Sequence, residues 1–191
     1  MRKQITVAIV YTLVTTVVLG IIYPLVVTGL SQLLFPSKAN GSLIVRNGQV
    51  VGSHLLGQTF GNDKYFHSRP SNAGNGYDPL ASGGSNLGPT NQILINRVAQ
   101  DVAKYQQENP GQPIPADLVT SSGSGLDPDI SPASAEFQVA RVAKARGTSP
   151  DQIRNLVAKH TQGRQLGILG EARVNVLDLN LDLDDSFPVK P

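Results

Sequence analysis

Three histidines, His54, His67 and His160, are the side chains of this chain best suited to proton transfer near neutral pH. Any of them could complete a Ser/His/Asp triad, and the many serines and aspartates leave that arrangement open. The pattern argues against it. No G-x-S-x-G elbow occurs, and His160 falls on an apolar helical face with Ile153, Leu156 and Val157, a setting that suits a hydrogen-bonded core or interface histidine. Neither H-E-x-x-H nor any paired-histidine spacing is present, and there is no cysteine, which excludes disulfides, zinc-thiolate centres and thiol nucleophiles. No catalytic residue and no metal ligand is assigned. Asp178, Asp182, Asp184 and Asp185 form a short acidic run. Such a run can attract cations, but the expected role is the solvated face of an edge strand.

The second candidate is a loop. Ser71 to Thr90 is rich in glycine, asparagine and proline and too poor in apolar residues to build its own core. Loops of this length inside a domain are functional or disordered. Its turn chemistry, Tyr77-Asp78-Pro79 through Ser82-Gly83-Gly84-Ser85-Asn86-Leu87-Gly88-Pro89-Thr90-Asn91, is too specific for a linker. A glycine-rich loop before a helix can cradle phosphate on backbone N–H groups. This one lacks the lysine of a G-x-x-x-x-G-K-[ST] loop, so an ordered surface that packs on its own domain or on a partner is preferred.

One element dominates the positioning of all these groups. Gln4 to Ser37 carries no charge over 34 residues and lies between Arg2/Lys3 and Lys38. A crossing helix needs about 20 apolar residues, and Ile5 to Phe35 would extend about 46 Å as helix. The apolar run is about twice a signal-peptide core, so an uncleaved anchor is expected. Two bases and no acid at the N-terminus favour a cytoplasmic N-terminus and an outer C-terminal domain. Thr12, Thr15, Thr16, Gly20 and Pro24 interrupt the anchor. Small and hydroxylated residues suit a helix that docks on another helix, and Pro24 should kink it.

The remaining chain reads as one α+β domain. Residues 1–37 are expected to be N-terminus and anchor, 38–185 a single mixed extracytoplasmic domain with a small sheet and about three helices, and 186–191 a disordered tail. Residues 38–191 carry fourteen bases and fourteen acids, so the pI near 9.0 belongs to the N-terminal flank and nothing points to nucleic acid. Asn47-Gly48 predicts a hairpin over Leu43–Gly52. A short strand is expected at Tyr65–Ser68. Helices are expected from Thr90 or Asn91 to Asn109, from Ser131-Pro132 to Gly147, and from a Ser149–Gln152 capping box to Gly163, with one turn near Ala116–Val119. Arg173–Leu183 alternates Leu with Asp or Asn and predicts a final strand, bulged at 176/177.

The motif residues carry a resemblance. Phe66-His67-Ser68-Arg69-Pro70-Ser71 and the Tyr77–Asn91 run resemble the C subunit family (KdpC) of the bacterial Kdp potassium-transporting ATPase. So do Gln138–Ala143, Arg146-Gly147, His160-Thr161, Gly163-Arg164, Leu169–Glu171 and Arg173–Leu177. The likeness spans nearly the whole chain. It implies a single-pass subunit of the bacterial cytoplasmic membrane with its domain outside. The implied partners are a channel-like potassium-binding subunit, a P-type ATPase catalytic subunit and a small single-helix subunit. Potassium and ATP are used by the complex, with no cofactor of this chain's own. The resemblance also implies support of assembly and activity and an effect on the ATP affinity of the catalytic subunit. No D-K-T-G motif occurs here, so this chain is not the phosphorylated subunit. Two other readings remain: a nucleotide-binding regulator using the glycine-rich loop, and an anchored envelope hydrolase using one histidine.

Overall fold

A computed structural model describes residues 1–188. It divides into two compact units, Met1–Val51 and the residues from Gly52 onward.

The first unit is a helix and a hairpin. Helix α1 (Arg2–Val17) continues through a π-helical segment, Val18–Ile22, into α2 (Tyr23–Leu34). Together they form one apolar helix of 33 residues, long enough to cross a bilayer and with none of its apolar span buried. Pro24 lacks an N–H and would clash with the carbonyl four residues back. The widened turn precedes it directly, and the Tyr23 amide donates to Val18 O, five residues back. The chain absorbs the proline in a π-turn rather than ending the helix. Phe35, at φ −139°, breaks it, and a short α3 (Pro36–Ala39) follows. Strands β1 (Leu43–Arg46) and β2 (Gln49–Ser53) pair around Asn47 and Gly48, both at positive φ, as the dipeptide predicts.

In the second unit, α4 (Gln92–Glu108) begins at Asn91, whose side chain accepts from the Ile93 amide. A 3₁₀ turn at Ala116–Leu118 and β3 (Asp129–Ile130) follow. Ser131 caps α5 (Pro132–Arg146), which Gly147 closes in the left-handed conformation. The Ser149/Gln152 capping box opens α6 (Pro150–His160). Strands β4 (Thr161–Gln162) and β5 (Arg173–Asn175) complete a three-stranded antiparallel sheet, ordered β3-β5-β4, with Ile130 and Thr161 both opposite Val174. Helix α7 (Val176–Ser186) ends the fold.

Helix α7 corrects the expected final strand. The phase slip at 176/177 is a strand-to-helix junction, not a bulge. Asn175 accepts from the Asp178 amide and caps the helix. At helical spacing Val176, Leu179 and Leu183 fall on one buried face. The alternation of leucine with polar residues satisfied both periods, and burial of that face against α6 decides for helix. Three further expectations change. Tyr65–Ser68 is not a strand. Helix α6 stops at His160 because Thr161 takes extended geometry and joins the sheet. The tail does not loosen at 186: Ser186 is helical and Phe187 packs against the core, while 189–191 lie outside the described residues.

The core forms where helical faces meet the sheet. Ala135, Val139 and Val142 of α5, Ile153, Leu156 and Val157 of α6, and the α7 face surround Val174, Ile130 and Phe66. Fully burying a Val, Leu, Ile or Phe side chain stabilises by about 1.5–3 kcal/mol before the chain-entropy cost. A second cluster joins Tyr105, Leu118, Val119 and Phe137, with the Tyr105 and Phe137 rings edge-on at 5.9 Å.

Candidate functional site

The long loop is held by its own domain. Arg69 Nη1 lies 2.8 Å from Asp127 Oδ2, and the Tyr77 hydroxyl donates to the Arg69 carbonyl. Ser71 Oγ donates to Gly125 O at 2.5 Å and accepts from the amides of Ala73 and Tyr77 at 3.2 and 2.8 Å. That is one donor and both acceptor sites used on one hydroxyl. The Gly83 amide and Ser82 Oγ both donate to Ser124 O, at 2.8 and 3.0 Å. Gly125 sits at φ +67°, and a Cβ there would stand 2.6 Å from Gly83 O, so only glycine admits this approach. Asp78 Oδ1 accepts from the Leu80 amide, making a local turn.

The expected motif residues therefore divide. Arg69, Tyr77, Asp78, Ser82 and Gly83 tie the loop to residues 122–127 or to itself. Gly84 passes close to Gly123, and Ser85 accepts from the Leu87 amide. Asn86, Gly88, Pro89 and Thr90 are exposed, and Pro70 is half-buried. The N-terminus of α4 is capped from within by Asn91, and residues 79–96 include no charged side chain. Arg97, the next cation, is paired with Asp101 at 3.1 Å.

The segment 63–67, just ahead of the loop in the chain, is held by a set of polar groups that sequence reasoning missed. Phe66 and His67 belong to no strand among the described residues. Side-chain amides hold their main-chain groups. Asn180 Nδ2 donates to Phe66 O and its Oδ1 accepts from the Phe66 amide, both at 2.9 Å. Gln138 Oε1 accepts from the His67 amide at 2.7 Å, and its Nε2 donates to His67 O at 3.2 Å. Arg141 reaches Glu108 Oε1, Asp63 O, Tyr65 O and Gln138 Oε1, all within 2.9 Å. Arg146 donates to Lys64 O at 2.8 Å, faces Asp184 at 2.8 Å and lies over the Tyr65 ring. The available signal was an amide at a core position of each helix: Gln138 beside Phe137 and Val139, Asn180 beside Leu179.

The histidines are each engaged. His67 Nε2 lies 3.2 Å from the Asn62 carbonyl. Burial, reinforced by the Arg141 guanidinium, lowers its pKa to about 4. His54 Nδ1 is 2.8 Å from Asp178 Oδ1, and His160 Nε2 is 2.7 Å from Asp182 Oδ2. Hydrogen bonds from Lys159 and His160 hold Asp182 down at about 2. Ser186 Oγ also donates to Asp182, so hydroxyl and imidazole meet on the carboxylate rather than on each other. Asp117 gathers the Ser131 amide and the hydroxyls of Ser131 and Ser134. Burial pushes this carboxyl up, and those bonds outweigh it, leaving it below its usual range. The expected solvated acidic face is therefore corrected: on a helix, Asp178, Asp182 and Asp184 each reach a cationic or histidine partner.

In the anchor, Thr15 Oγ1 donates to Tyr11 O at 2.8 Å and Thr6 Oγ1 to Arg2 O at 3.0 Å, so these hydroxyls are satisfied within the helix. A Cβ on Gly20 would meet only Thr16 Cγ2, at 3.9 Å. The helix itself does not require glycine there. Thr12 and Thr16 lie one turn apart, and Pro24 sits just past the π-turn.

Comparison with known proteins gives a consistent result. The family model described as KdpC, K+-transporting ATPase, c chain, matches residues 5–185. A Koribacter versatilis protein called potassium-transporting ATPase KdpC subunit is 59% identical over 189 residues, 99% of this chain and 98% of that protein. Proteins of the same name from Acidobacterium capsulatum and Rhodospirillum rubrum are 57% and 54% identical, over 95% and 99% of this chain and 98% and 99% of their own. A match this long, covering the anchor, the motif loop and the last helix together, places the chain in the KdpC family of K+-transporting ATPase subunits.

Proposed function

We propose that this chain is a non-catalytic accessory subunit of an ATP-driven potassium pump. Residues 2–34 anchor it in the bacterial cytoplasmic membrane, with the N-terminus in the cytoplasm and the folded domain outside. Its partners are a channel-like potassium-binding subunit, a P-type ATPase catalytic subunit and a small single-helix subunit. It supports their assembly and activity. Any effect on ATP affinity passes through the membrane helix and the assembly, because the domain and cytoplasmic ATP lie on opposite sides.

One observation carries the non-catalytic reading: the polar side chains that meet residues 63–71 are directed at main-chain groups. Asn180, Gln138, Ser71 and Arg141 all hold main-chain groups, which builds a shape rather than a reaction site. The nucleotide-binding alternative has less support. Asn91 occupies the helix N-terminus, and no cation lies between residues 79 and 96 to balance a phosphate. For the hydrolase alternative, Ser186 Oγ and His160 Nε2 both meet Asp182 rather than each other, and His67 Nε2 faces the Asn62 carbonyl.

Cysteine labelling at Ser85→Cys in intact cells tests the topology. Labelling by a membrane-impermeant reagent is expected, and protection until lysis would overturn it. Purification of the tagged chain tests the subunit assignment: a multi-span ATPase subunit should accompany it.

A further inference from the structure

We infer that the turn between β4 and β5 is seated in the membrane: its tip, Leu166, Ile168 and Leu169, enters the surface of the lipid bilayer that holds the anchor. The inference rests on the anchor reading above and goes beyond it by giving the folded domain a second contact with lipid.

The turn adds nothing to either core cluster, yet it is tightly closed. Leu166 is 89% exposed, Ile168 76% and Leu169 54%. Single exposed apolar residues need no explanation, but three within four positions make a patch. Gln165 and Leu169 pair as an isolated antiparallel bridge, which gathers the three onto one tip. Leu166 holds φ +53°, in the left-handed region that a bulky side chain rarely enters. Strain of this kind clusters where a segment has a task beyond folding.

The surroundings of those side chains select the occupant. Lipid admits only backbone whose polar groups are already satisfied, a demand that a protein groove does not make. Four of the five amides from 165 to 169 donate within the turn. Gln165 and Leu169 donate to each other's carbonyls at 2.9 Å, and Gly167 to Arg164 O and Ile168 to Gln165 O at 3.2 Å. Charge divides in the same way. Residues 165–170 carry none, and at the base of the turn the Arg164 guanidinium meets the Glu171 carboxylate at 2.6 Å. A paired, neutral base suits the headgroup level, with the apolar tip beyond it.

The chain also keeps the turn within reach of the bilayer. The anchor helix ends at Leu34 and the folded unit begins at Gly52, so residues 35–51 join them, and the hairpin folds much of that length back. Close to this entry, Asn175 Nδ2 donates to His54 O at 3.0 Å. The steps from Leu169 to Asn175 span at most about 22 Å. Because the anchor makes the contact intramolecular, three side chains suffice where a free domain would need more.

The test uses the full chain, with the subunits that accompany it, reconstituted into phosphatidylcholine vesicles. The native chain has no cysteine, so Leu166→Cys, Ile168→Cys and, as a control, Gln107→Cys each place one fluorophore at an exposed position. Lipid-borne nitroxide should quench the 166 and 168 reporters roughly threefold or more above the 107 reporter. Quenching by aqueous iodide as strong as at 107 would overturn the inference. So would shielding from both quenchers, which would put the turn against protein. Release of the chain from the vesicles by alkaline carbonate would overturn the anchor reading and this inference with it. Leu166→Asn/Ile168→Asn, read through a reporter at Gln165→Cys, supplies a second measurement. Lipid quenching should fall roughly threefold or more. The thermal midpoint of the domain should hold, because asparagine tolerates the left-handed geometry at 166. Unchanged quenching, or a fall in the midpoint that gives these side chains a folding role, overturns the inference.

Discussion

Asn180 on α7 satisfies both main-chain groups of Phe66, 114 residues earlier, through one side-chain amide at 2.9 Å in each direction. The amide acts as a one-residue neighbouring strand inside the core. Asn180→Leu should leave a buried N–H and a buried C=O without partners. Unfolding in urea should show a loss of roughly 2–5 kcal/mol. Asn180→Asp keeps the acceptor and loses the donor, and it buries a charge, so it should be no better tolerated. A loss below about 0.5 kcal/mol for both variants would mean that the contact carries little.

Gln138 and Arg141 extend the same support to His67 and Tyr65. Arg141→Met keeps much of the stem and removes the donors to Asp63 O, Tyr65 O, Gln138 and Glu108. Glu108 is then left as a largely shielded carboxylate without its guanidinium. A destabilisation of about 3 kcal/mol is expected, with earlier protease cleavage within 61–70 as the local readout.

His67 predicts a pH dependence. Its folded pKa, about 4, lies below the ordinary 6.5, so the unfolded chain binds the proton more readily. The stabilisation is complete above pH 6.5 and is lost as pH falls from there through about 4. Partial solvent access limits its size to roughly 1–2 kcal/mol. His67→Gln should flatten the thermal midpoint between pH 6.5 and 4 relative to the native chain.

Asp182 behaves in the same sense over a more acidic window. Its carboxylate is held at about 2 by Lys159 and His160. The stabilisation is present above about pH 4 and disappears as pH falls toward 2. Because Lys159 is largely exposed, about 1 kcal/mol is expected at pH 7. Asp182→Asn should lose that amount at pH 7 and show a weaker acid transition.

The anchor gives the fifth prediction. Replacing Thr12, Thr15, Thr16 and Gly20 together by leucine should preserve insertion and reduce recovery of partner subunits. Equal recovery would mean that this face meets lipid only.

Local rules made much of the fold legible. Asn91, Ser131 and Ser149 announced three helix starts, Gly147 an end and Asn47-Gly48 a hairpin, because each acts through its nearest neighbours. The Arg173–Leu183 segment was misread because Leu177, Leu179, Leu181 and Leu183 fit a strand as well as a helix, and only packing against α6 separates them. Tyr65–Ser68 was misread because its partners are Gln138 and Asn180, more than 70 residues away, and no local pattern marks an amide standing in for a strand. In the candidate site, the fixed geometry of the Tyr77–Asn91 run could be read from its turn residues. For the guanidinium and amide supports of residues 63–67, the amides at core positions of two helices were the one sequence signal, and it does not say which main-chain groups they hold.

The π-turn at Val18–Ile22 sets the angular phase of the anchor. Such a turn holds one residue more than an α-turn would, and one residue corresponds to about 100° around a helix. Thr28 and Gly29 therefore point to a different sector from the one a uniform wheel drawn from Thr12 and Thr16 assigns them. Deleting one residue within 18–22 together with Pro24→Ala should give an unbroken α-helix of almost the same length and hydrophobicity. Its two halves would keep their native alignment, because the deletion removes the one residue that the widened turn accommodates. Pro24→Ala without the deletion, if the turn closes to uniform α-helix, would twist them apart by about 100°, so the membrane would accept it while a neighbouring helix would be offered the wrong side.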